Sequence, residues 1–215
     1  MTEELRAAIL AAADAVDAAR AELGRLDGAA GDGDHGMTMS IGARNLRRRF
    51  ADAPADASPA DLVRLAGLAM GDVGGAIGPL AAAALTAVAG AIVPASAGPA
   101  DTIGRLRDAA AEAERAIVDL GHAIPGDKTV IDALHPLAES LRLATVEGGS
   151  IDPVIEAAVV AAEQGAAGTA DMVARLGRAS RLGERSRGLP DAGATSFAII
   201  VRAMADARFG ARGSS

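Results

Sequence analysis

Three aspartates and one histidine lie within ten residues near the start of the chain, separated almost only by glycine and alanine. The segment reads Asp27-Gly28-Ala29-Ala30-Gly31-Asp32-Gly33-Asp34-His35-Gly36. Glycine permits tight turns and close approach of a ligand, and an ionised aspartate offers only acceptor oxygens. Proteins hold Mg²⁺ with few carboxylates, together with waters and substrate oxygens. The pattern therefore predicts a Mg²⁺ site that holds a bound phosphate.

Other interpretations of this acidic loop (residues 27–36) fit less well. Its glycines reproduce Gly-x-Gly-x-x-Gly, but that dinucleotide fingerprint follows a strand, whereas residues 3–23 have helical spacing. An EF-hand would need glycine at Met37 and glutamate at Ala43. A solvated acidic turn that caps the next helix remains an alternative.

Composition limits the class of protein. The 215 residues are half apolar but only 1% aromatic, which indicates a core of alanine, leucine, valine and isoleucine. A net charge of −7 argues against a nucleic-acid binder, which would carry a basic face. The absence of cysteine excludes disulfides, thiol catalysis and cysteine-type zinc sites.

The sequence predicts a cytoplasmic protein without a membrane span. The acidic start, Met1-Thr2-Glu3-Glu4, leads directly into an amphipathic helix and has no signal-peptide character. The apolar run 73–100 is interrupted by glycine and proline and is only weakly hydrophobic, so it reads as a buried helix with flanking turns.

Helical periodicity dominates the rest of the chain, and no segment alternates as a strand does. About eight helices are predicted, and Gly24 is expected to end the first of them. The predicted ranges are 3–23, 37–50, 59–70, 80–91, 102–120, 129–145, 152–164 and a last helix from about 191, with a shorter helix at 169–176. We expect an all-α, up-and-down bundle as one domain over residues 1–211, with 212–215 as a tail.

Further glycine-rich or basic loops recur at alternate helix junctions. They are residues 71–79, 121–129 and 177–188, and the last is the densest basic segment of the chain. Backbone N–H groups at helix starts can bind anions, and arginines neutralise phosphate oxygens. Loops at alternate junctions lie at one end of an up-and-down bundle, so the pattern predicts a nucleotide–Mg²⁺ site without a P-loop.

These loops together resemble the L subunit of dihydroxyacetone kinase. The matching motifs run in the family's order from residue 26 to residue 194. They are Leu26-Asp27 with Gly31-Asp32-Gly33-Asp34-His35-Gly36, then Gly74-Gly75-Ala76 with Gly78-Pro79-Leu80, then Pro125-Gly126-Asp127-Lys128-Thr129, then Gly177-Arg178-Ala179-Ser180 with Leu182-Gly183-Glu184-Arg185-Ser186, and Asp191 with Gly193-Ala194.

The resemblance implies a barrel of eight antiparallel helices that holds ADP or ATP at one end through two Mg²⁺ ions. It implies that Asp27, Asp32 and Asp34 are the Mg²⁺ ligands. The nucleotide contacts that it implies are His35, Gly36, Met37, Thr38, Ala76, Ile77, Gly121, Val130, Arg178, Asp191, Ala192 and Gly193. His35 could instead only fix the loop, and Lys128 is expected to be a supporting residue at a helix start.

The resemblance also implies partners. Family members pass a phosphoryl group to dihydroxyacetone or a related short ketose on a separate K subunit, and in one mode a phosphocarrier M subunit rephosphorylates bound ADP. A transcriptional regulator and a second copy of the chain are further possible partners, and a non-catalytic nucleotide-binding module is the competing function. Ile77 departs from the family, which usually has serine there.

Overall fold

All regular elements in the described part of the chain are helices. The computed structural model describes residues 2–92, 99–147 and 150–213. The α-helices are α1 (Thr2–Ala18), α2 (Arg20–Ala30), α3 (His35–Ala51), α4 (Pro59–Gly71), α5 (Ile77–Ala91), α6 (Pro99–Gly121), α7 (Ile131–Glu147), α8 (Ile151–Gly168) and α9 (Ala192–Gly213). Two 3-10 helices, Thr169–Asp171 and Arg178–Ser186, lie between α8 and α9.

Helices α1 and α2 form one kinked helical unit. The N–H of Ala19 donates to the carbonyl of Ala15 at 3.0 Å, and the N–H of Leu23 donates to the carbonyl of Ala19 at 2.9 Å. Helical hydrogen bonding therefore continues across the kink. With α1 and α2 counted together, the described residues form eight long helical units.

These eight units close into a ring. From α3 to α9, each helix packs on the helix before it, and α1 packs on both α3 and α9. Successive neighbours joined by mostly short connections run up and down. The all-α, single-domain barrel predicted from the sequence is confirmed.

Small residues let the helices approach closely. Much of the buried core is alanine, and Leu23, Leu62 and Ile131 are among its largest fully buried side chains. A Cβ atom built on Gly165 of α8 would lie 2.2 Å from the carbonyl oxygen of Asp132 in α7. Only glycine at residue 165 allows α8 to pack this closely on the first turn of α7.

Helix α4 begins where the sequence predicts it. Ser58 precedes Pro59, and the Ser58 hydroxyl accepts a hydrogen bond from the N–H of Asp61 at 3.2 Å. The Asp61 carboxylate accepts the Ser58 N–H at 3.1 Å, which completes a capping box.

Two predicted helix limits are wrong. Gly24 does not end a helix, because α2 continues to Ala30 and places Asp27 in its last turn. The predicted helix 169–176 is limited to the 3-10 turn Thr169–Asp171. Beyond that turn, the N–H of Ala174 donates to the Ser186 hydroxyl, so tertiary hydrogen bonds replace the helical ones.

Within the described residues, no helix is both long enough and apolar enough to cross a membrane. Residues 93–98 of the apolar run 73–100 lie outside the described part of the chain. Helix α5 accounts for most of the rest of the run.

Alternate connections meet at one end of the barrel. His35 at the start of α3 contacts Ser196 near the start of α9. Lys128 before α7 donates to a backbone carbonyl in the segment before α9. A Cβ on Gly121 at the end of α6 would lie 3.2 Å from a methyl of Leu80 in α5. The four connections singled out in the sequence therefore form one surface.

Candidate functional site

The three aspartates of the acidic loop converge. Asp27, Asp32 and Asp34 each place a carboxylate oxygen within 4.8 Å of those of the other two. Asp27 is partly buried, whereas Asp32 and Asp34 are exposed. The cluster is therefore anchored on the helix side and open on the solvent side.

The ends of α2 and α3 position this cluster. Asp27 lies in the last turn of α2, and its carboxylate accepts the backbone N–H of His35 at 3.2 Å. Asp34 occupies the position before α3. Gly33 between them has a φ of +77°, which a side chain at this position would strain. The cluster therefore joins two helix ends through a tight turn.

The geometry of these donors fits Mg²⁺. Mg²⁺ binds oxygen at about 2.1 Å in an octahedron, so its ligand oxygens lie at most about 4.2 Å apart. An oxygen separation within 4.8 Å requires only small side-chain rotations to meet that limit. Three hard carboxylates, open to solvent on one side, are a ligand set that Mg²⁺ prefers.

Arg178 is the cation that the structure brings to the cluster. Its guanidinium contacts the Asp32 carboxylate and lies 3.9 Å from that of Asp34. All three side chains are about half exposed. Because an exposed ion pair contributes little stability, Arg178 can leave Asp32 for the oxygens of a bound phosphate.

His35 links the acidic loop to α9. Its Nε2 atom lies 3.0 Å from the hydroxyl of Ser196, which is buried and donates to the carbonyl of Gly193. Burial lowers the pKa of His35, while the carboxylates of Asp27 and Asp34 act in the opposite direction. A neutral imidazole at pH 7 suits a fixed hydrogen bond between the two loops.

The second glycine-rich loop (residues 71–79) is open to solvent at the three residues just before α5. Gly74, Gly75 and Ala76 are exposed, and Cβ atoms built on the two glycines would touch nothing within 4 Å. Gly78 is different, because a Cβ there would lie 2.3 Å from the carbonyl of Val73. The loop therefore folds back tightly at Gly78 and leaves its backbone accessible before Ile77.

The third loop (residues 121–129) is held by Asp127 within it and by Asp132 in the first turn of α7. Asp127 accepts the N–H of Ile124 at 3.0 Å, and Asp132 accepts the N–H groups of Thr129, at 2.7 Å, and of Gly126. Both carboxylates are more than nine-tenths buried. They therefore shape the loop and are not free to bind a ligand.

Asp191 and Gly193 start α9 beside this loop. The Asp191 carboxylate accepts the N–H of Ala194 at 2.8 Å, and a Cβ on Gly193 would lie 3.9 Å from that of Val130. Burial raises the pKa of Asp191 to about 6, against the effects of the Ala194 N–H and the Lys128 ammonium. These contacts bring residues 130 and 191–193 together.

The structure thus gathers most of the predicted site residues into two groups. Asp27, Asp32, Asp34, His35 and Arg178 are joined by direct contacts, and positions 36–38 follow in the first turn of α3. Val130 and positions 191–193 form the second group, which Ser196 links to His35. Ala76 immediately precedes α5 and Ile77 begins it. No direct contact between positions 76–77 and the acidic loop is among those observed in the described residues.

Sequence reasoning missed two supporting residues, Ser196 and Thr169, and it predicted Lys128 as a supporting residue without its partners. Ser196 holds His35, Thr169 accepts the N–H of Asp191 through its hydroxyl, and Lys128 joins two loops. Ser196 and Thr169 gave no signal, because an isolated hydroxyl in a helical pattern is common. Lys128 gave one, since it is the only lysine among 21 cationic residues.

A closed ring of antiparallel helices, with a carboxylate cluster and an arginine at one end, defines a helical-barrel domain with a candidate site for a cation and an anionic ligand. The family model described as the DAK2 domain matches residues 29–206. The chain belongs to the DAK2 domain family and is of the DhaL type.

Two relatives show what this chain resembles. It is 36% identical to the ADP-binding subunit DhaL of the PEP-dependent dihydroxyacetone kinase of Escherichia coli, over 84% of each chain. It is 42% identical to an L-erythrulose 1-kinase of Mycolicibacterium smegmatis, over 86% of this chain and 32% of the relative. The chain spans about a third of the length of this relative and of the other erythrulose kinases that it matches.

A solved structure shares the fold. The dihydroxyacetone kinase of C. freundii in complex with AMP-PNP and Mg²⁺ superposes with a TM-score of 0.68 at 27% identity. The match covers 96% of this chain and 34% of that chain.

Proposed function

We propose that this chain is the nucleotide-binding part of a kinase that phosphorylates dihydroxyacetone or a related short ketose. In this proposal it holds ADP or ATP with two Mg²⁺ ions and presents a phosphoryl group to a sugar on a separate K subunit. The observation that carries the proposal is the convergence of Asp27, Asp32 and Asp34, with Arg178 beside them, at an open end of the barrel.

The charge of each side chain determines its proposed role. Asp27, Asp32 and Asp34 would hold Mg²⁺, which neutralises phosphate charge and polarises the phosphoryl group that is transferred. Arg178 supplies a planar donor that can bind two phosphate oxygens at once. The exposed backbone before Ile77 and the start of α3 offer N–H donors to the remaining oxygens.

The remaining proposed nucleotide contacts lie at the end of the acidic loop, in the first turn of α3 and in the other loops. They are His35, Gly36, Met37, Thr38, Ala76, Ile77, Gly121, Val130, Asp191, Ala192 and Gly193. Met37 is 47% exposed at this end of the barrel and offers an apolar surface for a base or for a partner subunit. Ile77 replaces the hydroxyl of the family's usual serine with an apolar side chain, which would weaken polar contacts there.

The names of the relatives support a short ketose as the acceptor. Two relatives at 42% and 39% identity are named as kinases of L-erythrulose and D-erythrulose, and another is an ADP-binding subunit of a dihydroxyacetone kinase. Because the chain spans only a third of the erythrulose kinases, the acceptor site belongs, in this proposal, to a different polypeptide or domain.

The two candidate phosphoryl donors require different rates of nucleotide exchange. Rephosphorylation of bound ADP by a phosphocarrier M subunit requires ADP to stay bound through many cycles, whereas use of ATP requires rapid exchange. We propose the first mode, which the relative named as a PEP-dependent enzyme supports. ADP that co-purifies with the protein and exchanges slowly with free ATP is the expected result, and rapid exchange would contradict it.

Calorimetric titration of Mg²⁺–ADP tests the site directly. Asp32→Ala should lower the affinity by at least tenfold, because it removes a charged ligand from the cluster. Asp14→Ala is the matched control, since Asp14 is a 74% exposed aspartate that pairs with Arg47 on a different part of the surface. Equal affinity in Asp32→Ala and Asp14→Ala would refute the assigned site.

Phosphotransfer to the sugar separates this proposal from a non-catalytic nucleotide-binding module. The test combines the chain with a K subunit, dihydroxyacetone or erythrulose, and either ATP or a phosphorylated M subunit. We expect sugar phosphate only when the K subunit is present. Binding of Mg²⁺–ADP without any phosphotransfer would favour the non-catalytic module. The predicted homodimer, transcriptional regulator and cytoplasmic location stay predictions.

A further inference from the structure

The only lysine of the chain is buried between the two ends of the segment that carries Arg178. We call these paired ends, around residues 169 and 189, the neck of the segment. The chain uses arginine at every other cationic position, yet Lys128 is 4% exposed. Its backbone has a φ of +63°, which is uncommon for a residue with a side chain. A buried, conformationally strained lysine in an otherwise arginine-only chain requires a specific structural reason.

Lys128 joins both ends of one long connection. Its ammonium group donates to the carbonyl of Thr169 at 2.6 Å and to that of Leu189 at 2.7 Å. Residue 169 directly follows α8, and residue 189 lies shortly before α9 begins at Ala192. We call residues 169–189 the arginine loop, because Arg178 lies near their middle.

Other hydrogen bonds close the same neck. The N–H of Gly188 donates to the carbonyl of Ala170 at 2.9 Å, and the N–H of Asp191 donates to the Thr169 hydroxyl at 2.8 Å. The two Lys128 bonds differ from these, because Lys128 lies in the third loop and not in the segment between α8 and α9. It therefore fixes the arginine loop to the part of the barrel that carries Val130.

The arginine loop also has internal supports. The buried Ser186 hydroxyl accepts the N–H of Ala174 at 2.9 Å and donates to the carbonyl of Gly183 at 2.7 Å. The N–H of Arg175 donates to the carbonyl of Asp127, next to Lys128. The loop is thus a folded unit whose orientation depends on its neck, and its far side places Arg178 on Asp32.

We propose that Lys128 is a positioning residue that clamps the neck of the arginine loop and so directs Arg178 to the nucleotide phosphates. It does not contact the nucleotide in this proposal, and it acts through Arg178. The inference rests on the proposed function, because it assigns Lys128 a role in that same site.

The chemistry explains why this residue is lysine. A compact ammonium group with three donors fits between two carbonyl oxygens in a closed space. A planar guanidinium is larger and presents its donors in a fixed fork. Arginine should therefore not replace Lys128, although it carries the same charge.

The main test is a double-mutant cycle on Mg²⁺–ADP affinity, measured by calorimetry. Lys128→Met should weaken binding by about tenfold, and Lys128→Arg should not restore it. In a protein that already carries Arg178→Ala, Lys128→Met should have less than a threefold further effect, because the group that it positions is gone. Fully additive effects, or an unchanged affinity in Lys128→Met, would refute the proposal.

A control separates positioning from general loss of stability. Leu141 is 4% exposed and lies in α7, ten residues or about 15 Å of helix beyond Ile131, where α7 begins after the third loop. Leu141→Ala should therefore lower the melting temperature without weakening Mg²⁺–ADP binding. If Leu141→Ala weakens binding as much as Lys128→Met does, the effect is one of stability and the proposal fails.

Amine acetylation of the wild-type protein gives a test that does not depend on a folded variant. Because Lys128 has the only side-chain amine, its modification reports directly on opening of the neck. Mg²⁺–ADP at about 100 times its Kd should slow the modification by up to about 100-fold if opening prevents binding. No slowing would refute the clamp. Failure of the wild-type protein to bind Mg²⁺–ADP at all would instead refute the proposed function.

Discussion

Gly36 in the first turn of α3 lies directly against the backbone of Arg20 in α2. A Cβ atom built on Gly36 would be 2.1 Å from the Arg20 carbonyl oxygen and 2.9 Å from the nitrogen of Gly24. This contact brings the start of α3 onto the side of α2. It thereby sets the distance between Asp27 on one helix and Asp34 before the other.

Gly36→Ala should disturb the acidic cluster and the fold together. Because the clash is with backbone, α2 and α3 must separate, and we expect a loss of about 1–3 kcal/mol in the free energy of unfolding. Mg²⁺–ADP affinity should fall as well, since Asp27 and Asp34 move apart. Urea denaturation and calorimetry measure the two effects.

The control for this change is Gly104→Ala, on α6, where a Cβ would meet nothing within 4 Å. It should be neutral or should stabilise the protein by about 0.5–1 kcal/mol, as alanine does in a helix. Equal stability of the Gly36→Ala and Gly104→Ala variants would contradict the close approach of α2 and α3.

Gly165→Ala should disturb the third loop through Asp132, in the first turn of α7. The new methyl would lie 2.2 Å from the carbonyl oxygen of Asp132, whose carboxylate holds the N–H groups of Gly126 and Thr129. We expect a loss of about 1–3 kcal/mol in stability, measured by urea denaturation. Gly168→Ala, in the same helix but with open space around it, should not destabilise. A stable Gly165→Ala variant would show that α8 can move away from α7.

Asp191 should make the protein less stable as the pH rises through its titration. Burial raises the pKa of Asp191 from 3.8 to about 6, so the folded state holds the proton more tightly than the unfolded state does. The free energy of unfolding therefore falls between about pH 4 and pH 6. The size of the effect is at most about 3 kcal/mol.

Asp191→Asn should remove this dependence, because asparagine does not titrate but can still accept the Ala194 N–H. We expect the variant to gain stability relative to wild type as the pH rises from 4 to 7, in urea denaturation at several pH values. A constant difference between the two proteins over that range would contradict the raised pKa.

Arg202→Ala should lower stability without affecting the candidate site. The Arg202 guanidinium binds the carboxylates of Glu156 and Glu163 on α8, with distances of 2.8–3.0 Å. Because the pairs are partly buried and form a network, we expect a loss of about 1–2 kcal/mol that shrinks in high salt.

A matched arginine gives the comparison. Arg142 pairs with Glu139 in the same helix, and both side chains are about half exposed. Arg142→Ala should cost less than about 0.5 kcal/mol. A change in Mg²⁺–ADP affinity in Arg202→Ala would contradict its separation from the site.

Local patterns in the sequence predicted the helices well where both ends carry local signals. The start of α4 at Ser58-Pro59 follows from capping chemistry within four residues. The end of α2 could not be predicted in this way. Gly24 has the composition of a helix end, but it lies inside α2 at the point where α3 packs closely, since a Cβ on Gly36 would lie 2.9 Å from the Gly24 nitrogen.

The order of the motifs indicated the family and the end of the barrel at which the loops meet. The prediction for Arg178 depended on the resemblance, because nothing near it in the sequence shows that it faces Asp32. The helix expected over 169–176 failed for a related reason. Its backbone N–H groups donate to Ser186 and to the third loop, and a single-sequence pattern does not contain those partners.

The sequence by itself determined the carboxylate cluster of this protein. The aspartates of residues 27–34 are close along the chain, so their convergence needs only one tight turn between two helices. Tertiary structure decided which cation meets them, and it placed Lys128 against both ends of the arginine loop. Arg178 and Lys128 reach the site only because the ring of helices closes, and such long-range contacts leave no periodic signal in the sequence.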